Sequence, residues 1–284
     1  MSKIRVIVDS AGDLPLDVAQ KENVLVLPIK YSFDGENQIR DKYDMSDEEF
    51  YKKLRDTGAI PKTTQITPLE FEEAFREQAK DYDELIVITI GAKASGTYQN
   101  AVNIANMIME DTSVKIHVVD SKSLSYNYGY MAYRAQKLIN EGASSDDALK
   151  LLDKLISGNK TFFTVETLDN LKKGGRITTM SAIIGGMLDI KPIIEIKDGL
   201  TSAIDKVKGE KKAILKMVEL IKNKALGKEN AIVHVIHTDV PDKAELIKQM
   251  LEEQGVKVEG IGKAGPVIGC HSGPGAFGIS VMFE

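Results

Sequence analysis

Short β-branched runs alternate with helix-length amphipathic stretches along the first half of this chain, and that alternation limits the folds open to it. Ile4–Val8, Leu85–Ile90 and Ile116–Val119 read as strands, and Val24–Ile29 is a second apolar run. Between and after them, helical patterns cover Pro15–Glu22, a stretch ending at Asp56, Pro68 to about Lys80, Tyr98–Glu110 and Tyr128–Asn140. Another opens at Ser145-Asp146-Asp147 and runs to about Ile156. Two helix starts carry the reciprocal Ser/Thr-x-x-Glu signature, Ser46 with Glu49 and Thr67 with Glu70, the second with Pro68 at the favoured first helical position. Strands separated by helices need crossover connections, so the pattern predicts a three-layer domain: a parallel sheet with helices on both faces.

The second half has a different texture. Strand patterns fall at Thr161–Val165, Ile190–Ile196, Leu200–Val207, Ala231–His237, Val256–Ile261 and Phe277–Phe283. Asp198-Gly199 between the second and third of these is a strong hairpin turn signal. Helices are predicted over Ile177–Leu188, Glu210–Lys224 and Lys243–Glu253. A hairpin mixed with helices predicts a second α/β domain with a mixed sheet. The boundary is placed at Gly158-Asn159, giving domains 1–158 and 159–284.

Several function classes are disfavoured. The net charge is −5 with both signs mixed along the chain, and no basic block tracks phosphates. Tryptophan is absent and aromatics are 6%, so platforms for stacking bases are scarce. The N-terminal apolar run is too short for a signal peptide and is interrupted by Asp9, and Met180–Ile196 is broken by Asp189, Lys191 and Pro192. Cys270 is the single cysteine, so no intrachain disulfide forms; it reads as a small buried residue. The expectation is a cytoplasmic protein.

Five segments carry polar chemistry. Asp9-Ser10-Ala11-Gly12-Asp13 follows the first strand, where open parallel sheets gather ligands, or else it is a turn whose side chains satisfy backbone donors. Lys62-Thr63-Thr64-Gln65 puts two hydroxyls just ahead of a helix start, an arrangement that suits an anion. Gly91-Ala92-Lys93-Ala94-Ser95-Gly96-Thr97 joins a strand to a helix and matches neither the nucleoside-triphosphate loop nor the dinucleotide fingerprint. Gly265 to Gly275 crowds glycines and prolines around His271 in what reads as a loop. Lys172-Lys173-Gly174-Gly175-Arg176 precedes the apolar Ile177–Leu188 stretch, so Arg176 is either a solvated cation or a charge at the mouth of an apolar cavity. His117, His234 and His237 lie in strand patterns and read as structural; the last two are three apart and face opposite sides, so they share no metal.

Taken in order, these motifs resemble the DegV family over essentially the whole chain. They are Val8-Asp9-Ser10, Asp13-Leu14, Lys62-Thr63-Thr64-Gln65, Ser95-Gly96-Thr97-Tyr98-Gln99-Asn100-Ala101 and Val119-Asp120-Ser121, then Lys173-Gly174-Gly175-Arg176-Ile177, Lys191-Pro192-Ile193 and His271-Ser272-Gly273-Pro274-Gly275-Ala276. The resemblance implies two α/β domains holding one long-chain fatty acid of about C14–C18, palmitate-like, as a non-covalent ligand. It implies no catalysis, no cofactor and no metal. The carboxylate would meet Thr63, Thr64, Ser95, Gly96 and Thr97, with Arg176 and His271 in the surrounding polar network. The tail would enter an apolar tunnel in the C-terminal domain, for which Phe162, Phe163, Ile177, Met180, Ile183, Ile184, Met187, Leu188, Ile190, Ile193 and Ile194 are available, with Gly185 and Gly186 allowing close passage.

Some members of the family present the acid to a separate ATP-dependent fatty acid kinase, with only transient membrane contact. Two positions depart from the pattern. Ala94 stands where Leu is frequent, and Lys208 stands where kinase-coupled members carry Arg; Lys keeps the charge and loses the bidentate fork. The competing reading is an acyl hydrolase or transferase with Ser95 as nucleophile and His271 as base, for which no nucleophile elbow or third orienting residue is evident.

Overall fold

The computed structural model describes residues 2–177 and 189–284. In chain order the N-terminal half runs β1 (Ile4–Asp9), α1 (Leu16–Glu22), β2 (Leu25–Leu27), β3 (Lys30–Ser32), β4 (Ile39–Arg40), α2 (Asp47–Thr57), β5 (Lys62–Thr64), α3 (Pro68–Gln78), β6 (Glu84–Thr89), α4 (Thr97–Asp111), β7 (Lys115–Asp120), α5 (Tyr126–Asn140) and α6 (Ser145–Gly158). The C-terminal half continues with β8 (Lys160–Thr164), α7 (Asp169–Lys173), β9 (Ile190–Lys197), β10 (Leu200–Lys208), α8 (Glu210–Ala225), β11 (Ala231–His237), α9 (Pro241–Glu252), β12 (Gly260–Lys263), α10 (Pro266–Ser272) and β13 (Phe277–Phe283).

The first sheet has the order β2-β1-β6-β7 and is wholly parallel. Every residue of β6 is buried, as a central strand covered on both faces requires. Helices α3 and α4 pack together, and α1, α5 and α6 form a second group. The predicted capping boxes are both made: Ser46 Oγ accepts from Glu49 N at 3.2 Å, and Thr67 Oγ1 accepts from Glu70 N at 3.3 Å. A third box caps α6 from Ser144, one residue earlier than the predicted start.

The second sheet is mixed, with the order β10-β9-β8-β13-β11-β12. All its pairs are antiparallel except β11–β12. Asp198 and Gly199 both take positive φ, 51° and 75°, the conformation that a two-residue hairpin turn with native twist needs. One face of this sheet packs on α8 and α9 through Phe162, Val233, Val235, Ile279 and Val281. Its other face turns toward the N-terminal half, where Ile232 and Met282 join the core of the parallel sheet.

Three features differ from the sequence reading. A small antiparallel sheet, β4-β3-β5, contains Thr63 and Thr64. Its strands of two or three residues are too short to show a period-2 pattern. The glycine-rich segment around His271 is the short helix α10, not a loop. The strand expected at Val256–Ile261 pairs only from Gly260, because Val256 N is still bonded to Leu251 O after α9. Ile177 is packed against the cluster of Val165, Leu168, Leu171, Ile194 and Ala276, while the rest of the helix expected over Ile177–Leu188 lies outside the described residues, with Met180, Ile183, Ile184, Gly185, Gly186, Met187 and Leu188.

Candidate functional site

The carboxyl ends of the parallel strands face the second sheet across a cavity of about 460 Å³. That position, beyond the carboxyl ends of an open sheet, is where α/β folds place ligands. The parallel-sheet half supplies Ile29, Ile90, Ala94, Leu124 and Ser125 to the wall. The mixed sheet supplies Thr161, Phe163, Ile196, Ile236 and Gly278, and α10 supplies Val267, Ile268 and His271. Strand alternation sorts the residues proposed for an apolar wall. Phe163 lines the cavity, whereas Phe162 and Ile193 point to the opposite face and pack with α8. Ile194 lies beside Phe163, Leu171 and Ala276.

Thr63, Thr64, Ser95, Gly96, Arg176 and His271 all line this one cavity. Thr63 Oγ1 lies 3.0 Å from His271 Nε2, joining β5 to α10 across 208 positions of sequence. Neighbours in a strand point to opposite faces, and the hydroxyl of Thr64 accordingly turns to Gln38 Oε1 (3.2 Å) and Lys30 O (3.4 Å). Ser95 Oγ pairs with Thr97 Oγ1 at 2.9 Å and accepts from Thr97 N at 3.3 Å, which holds it at the start of α4. Thr97 itself is fully buried behind Ser95. At Gly96 a Cβ would come within 2.1 Å of Gln65 Oε1, so the glycine lets Gln65 lie over the turn. Arg176 is exposed at the rim, its Nη1 donating to Gly174 O at 2.6 Å.

Burial pushes the His271 imidazole down to about 4, and the neighbouring Arg176 guanidinium acts in the same direction. The ring is therefore neutral at pH 7. Its Nδ1 is buried without a hydrogen-bond partner, close against Gly174. Among the described residues Ser95 is bonded to Thr97 and His271 to Thr63, and no carboxylate orients Nδ1, so the serine–histidine dyad of an acyl hydrolase is not formed there. What remains is a set of hydroxyl donors, a neutral imidazole and one exposed cation around an apolar space, which suits a monoanion with a hydrocarbon tail.

The Asp9–Asp13 segment stands behind this site and supports it. Asp9 accepts from Tyr128 Oη (2.6 Å), Ile90 N (2.7 Å) and Ala11 N (3.2 Å), while Ser10 Oγ accepts from Ile29 N. Asp13 accepts from Ser125 Oγ (2.7 Å) and from Gly265 N (2.8 Å) at the head of α10, and pairs with the buried Lys42 at 3.3 Å. Ser125, on the cavity wall, holds φ 60° and ψ −156°, a region that glycine ordinarily occupies. Ser125, Thr161, Thr201 and His237 are wall residues that sequence reasoning passed over. His237, read as structural, does accept from Val240 N through Nδ1. For Thr161, Thr201 and His237 the signal that could have found them was their place at the ends of strands β8, β10 and β11.

A family model described as "Uncharacterised protein, DegV family" matches residues 3–284. The chain belongs to the DegV family. A DegV domain-containing protein of Caldanaerobacter subterraneus is 35% identical over 280 residues, covering 98% of each chain. A Thermotoga maritima relative named as a fatty acid-binding protein is 30% identical, covering 99% of this DegV chain and 98% of its own. A solved structure from Eubacterium ventriosum, described as a stearic acid-binding protein, superposes with a TM-score of 0.91 at 29% identity, covering 100% of this chain and 98% of that one. Among the described residues no helix is long and apolar enough to cross a membrane.

Proposed function

We propose that this chain binds one long-chain fatty acid non-covalently, of about C14–C18 and palmitate-like, and catalyses nothing itself. The single observation that carries the reading is a cavity with an apolar wall whose lining also includes the Thr63–His271 pair and Ser95. In this reading the carboxylate sits in that corner. Thr63 and Ser95 donate to it, Gly96 and Thr97 shape the turn, and Thr64 and Arg176 frame it. Residues 1–158 carry the head-group segments and residues 159–284 the wall of the acyl tunnel.

The energetics suit such a ligand. Each buried methylene contributes roughly 0.8 kcal/mol, so a C16 tail supplies on the order of 10 kcal/mol before the cost of association. A buried carboxylate needs donors, and hydroxyls satisfy it without a fully buried ion pair. A head group between the two halves would be presented to an ATP-dependent fatty acid kinase subunit in the cytoplasm, with only transient membrane contact. Lys208, exposed at the end of β10, would offer that partner a point charge in place of a guanidinium fork.

The test is to extract purified protein with organic solvent and identify the lipid by mass spectrometry. A C14–C18 acid at one equivalent is the expected result. Recovery of no acid, together with no uptake of added palmitate, would sink the proposal. Turnover of acyl esters that vanishes in Ser95→Ala would replace it with the hydrolase.

A further inference from the structure

The face of the mixed sheet that meets the N-terminal half is organised in rows across the strands. At one end Ile232 and Met282 are register partners and belong to the core of the parallel sheet. Toward the other end Ile236, Gly278 and Phe163 form a row along the cavity. Between these two apolar rows lies a polar one: His234 pairs with Ser280, and Ser280 with Thr161. Directly paired residues on one face hold their Cβ atoms about 5 Å apart, so these three side chains stand side by side.

Asn127 of α5 meets this row at its Thr161 end, its Nδ2 donating to Thr161 Oγ1 at 2.7 Å. Thr161 is satisfied by that bond, and the other three residues are not. Asn127 Oδ1, Ser280 Oγ and His234 Nδ1 are each buried with no hydrogen-bond partner among the described residues. Their residues are 0%, 0% and 1% exposed. Buried polar atoms left unpaired cost about 1–3 kcal/mol each, so three together at one seam call for a partner.

We propose that this seam holds one ordered water molecule, bonded to Asn127 Oδ1, Ser280 Oγ and His234 Nδ1. The donor and acceptor inventory matches. Asn127 Oδ1 accepts only, the neutral imidazole can accept at Nδ1, and the serine hydroxyl donates. A water that donates twice and accepts once completes all three, about the usual coordination of a buried water. Burial pushes the His234 imidazole down to about 4, which keeps it neutral and able to accept. The water ties α5 of the first half to β11 and β13 of the second. It lies next to Thr161, where the cavity meets the seam, so it ends the apolar space on that side with a polar stop. The assignment does not depend on what fills the cavity.

The experiment uses the full chain, with and without added palmitate. A crystal structure at about 1.5 Å or better is expected to show a density peak within about 3.2 Å of all three atoms in both states. An empty gap there, beside other ordered internal waters, would overturn the assignment. Ser280→Ala gives an independent reading whose sign decides. If water bridges the row, the variant strands one of its bonds and Tm falls by about 2–4 °C. If the row is dry, the variant removes an unpaired hydroxyl and Tm stays level or rises, which refutes the water.

Discussion

Thr63→Val tests the head-group corner with the least disturbance. Valine keeps the branched shape of threonine in β5 and deletes only the hydroxyl that meets His271 Nε2 at 3.0 Å. In the tautomer of the neutral His271 ring that protonates Nε2, that N–H would donate to Thr63 Oγ1 and leave the threonine proton for the proposed carboxylate. The variant loses that charge-assisted bond and strands the imidazole donor behind it. One such bond is worth roughly 1.5–3 kcal/mol, which corresponds to a dissociation constant roughly 10- to 150-fold weaker. The assay is calorimetric titration of delipidated protein with palmitate, beside a thermal melt of each variant. Thr64→Val serves as the comparison, since its hydroxyl turns to Gln38 and Lys30, and it should weaken binding less. A Thr63→Val protein that melts like the wild type and binds within about twofold of it would refute the corner as the carboxylate site.

Palmitate affinity should show no titration from His271 between pH 6 and 8, because its folded-state value lies near 4; a step in Kd in that range that His271→Gln abolishes would contradict this. Burial raises Asp41 to about 7, above its unfolded value, so the folded state is the stronger proton binder and gains stability as pH falls through 7 toward 4. That gain, on the order of a few kcal/mol, should be missing in Asp41→Asn, as denaturant melts across pH would show. Asp13→Ala strips the buried Lys42 of its closest carboxylate and frees Gly265 N, and should destabilise by about 3–5 kcal/mol in urea titrations. Gly269→Ala would bring a Cβ within 2.7 Å of Phe50 Cε1, and should lower stability by about 1–3 kcal/mol in the same assay.

Regular elements were legible in the sequence because each carried its own local signal. β11, β13 and the Asp198-Gly199 turn were readable from alternation and turn chemistry, and α2 and α3 from their capping boxes. The β4-β3-β5 sheet was not, since its strands are held by pairings such as Tyr31 with Thr63 rather than by any pattern of their own. The residues in motifs that line the cavity were picked out through resemblance. Spacing alone could not bring Thr63 to His271, since their contact depends on how α10 docks. Ser125 was missed for the opposite reason: an ordinary residue in an unusual backbone state leaves no mark in composition.

Helix α10 comes from the end of the chain yet is seated in the first half. Cys270 packs with Tyr31, Phe50, Tyr51 and Leu54, and Tyr51 Oη donates to Ala264 O at 2.7 Å. The order of synthesis is therefore not the order of completion. The aromatic cluster around α2 can close only once α10, more than 200 positions later in sequence, is available to pack on it. Severing the chain between its halves would take α10 away from that cluster and leave it uncovered.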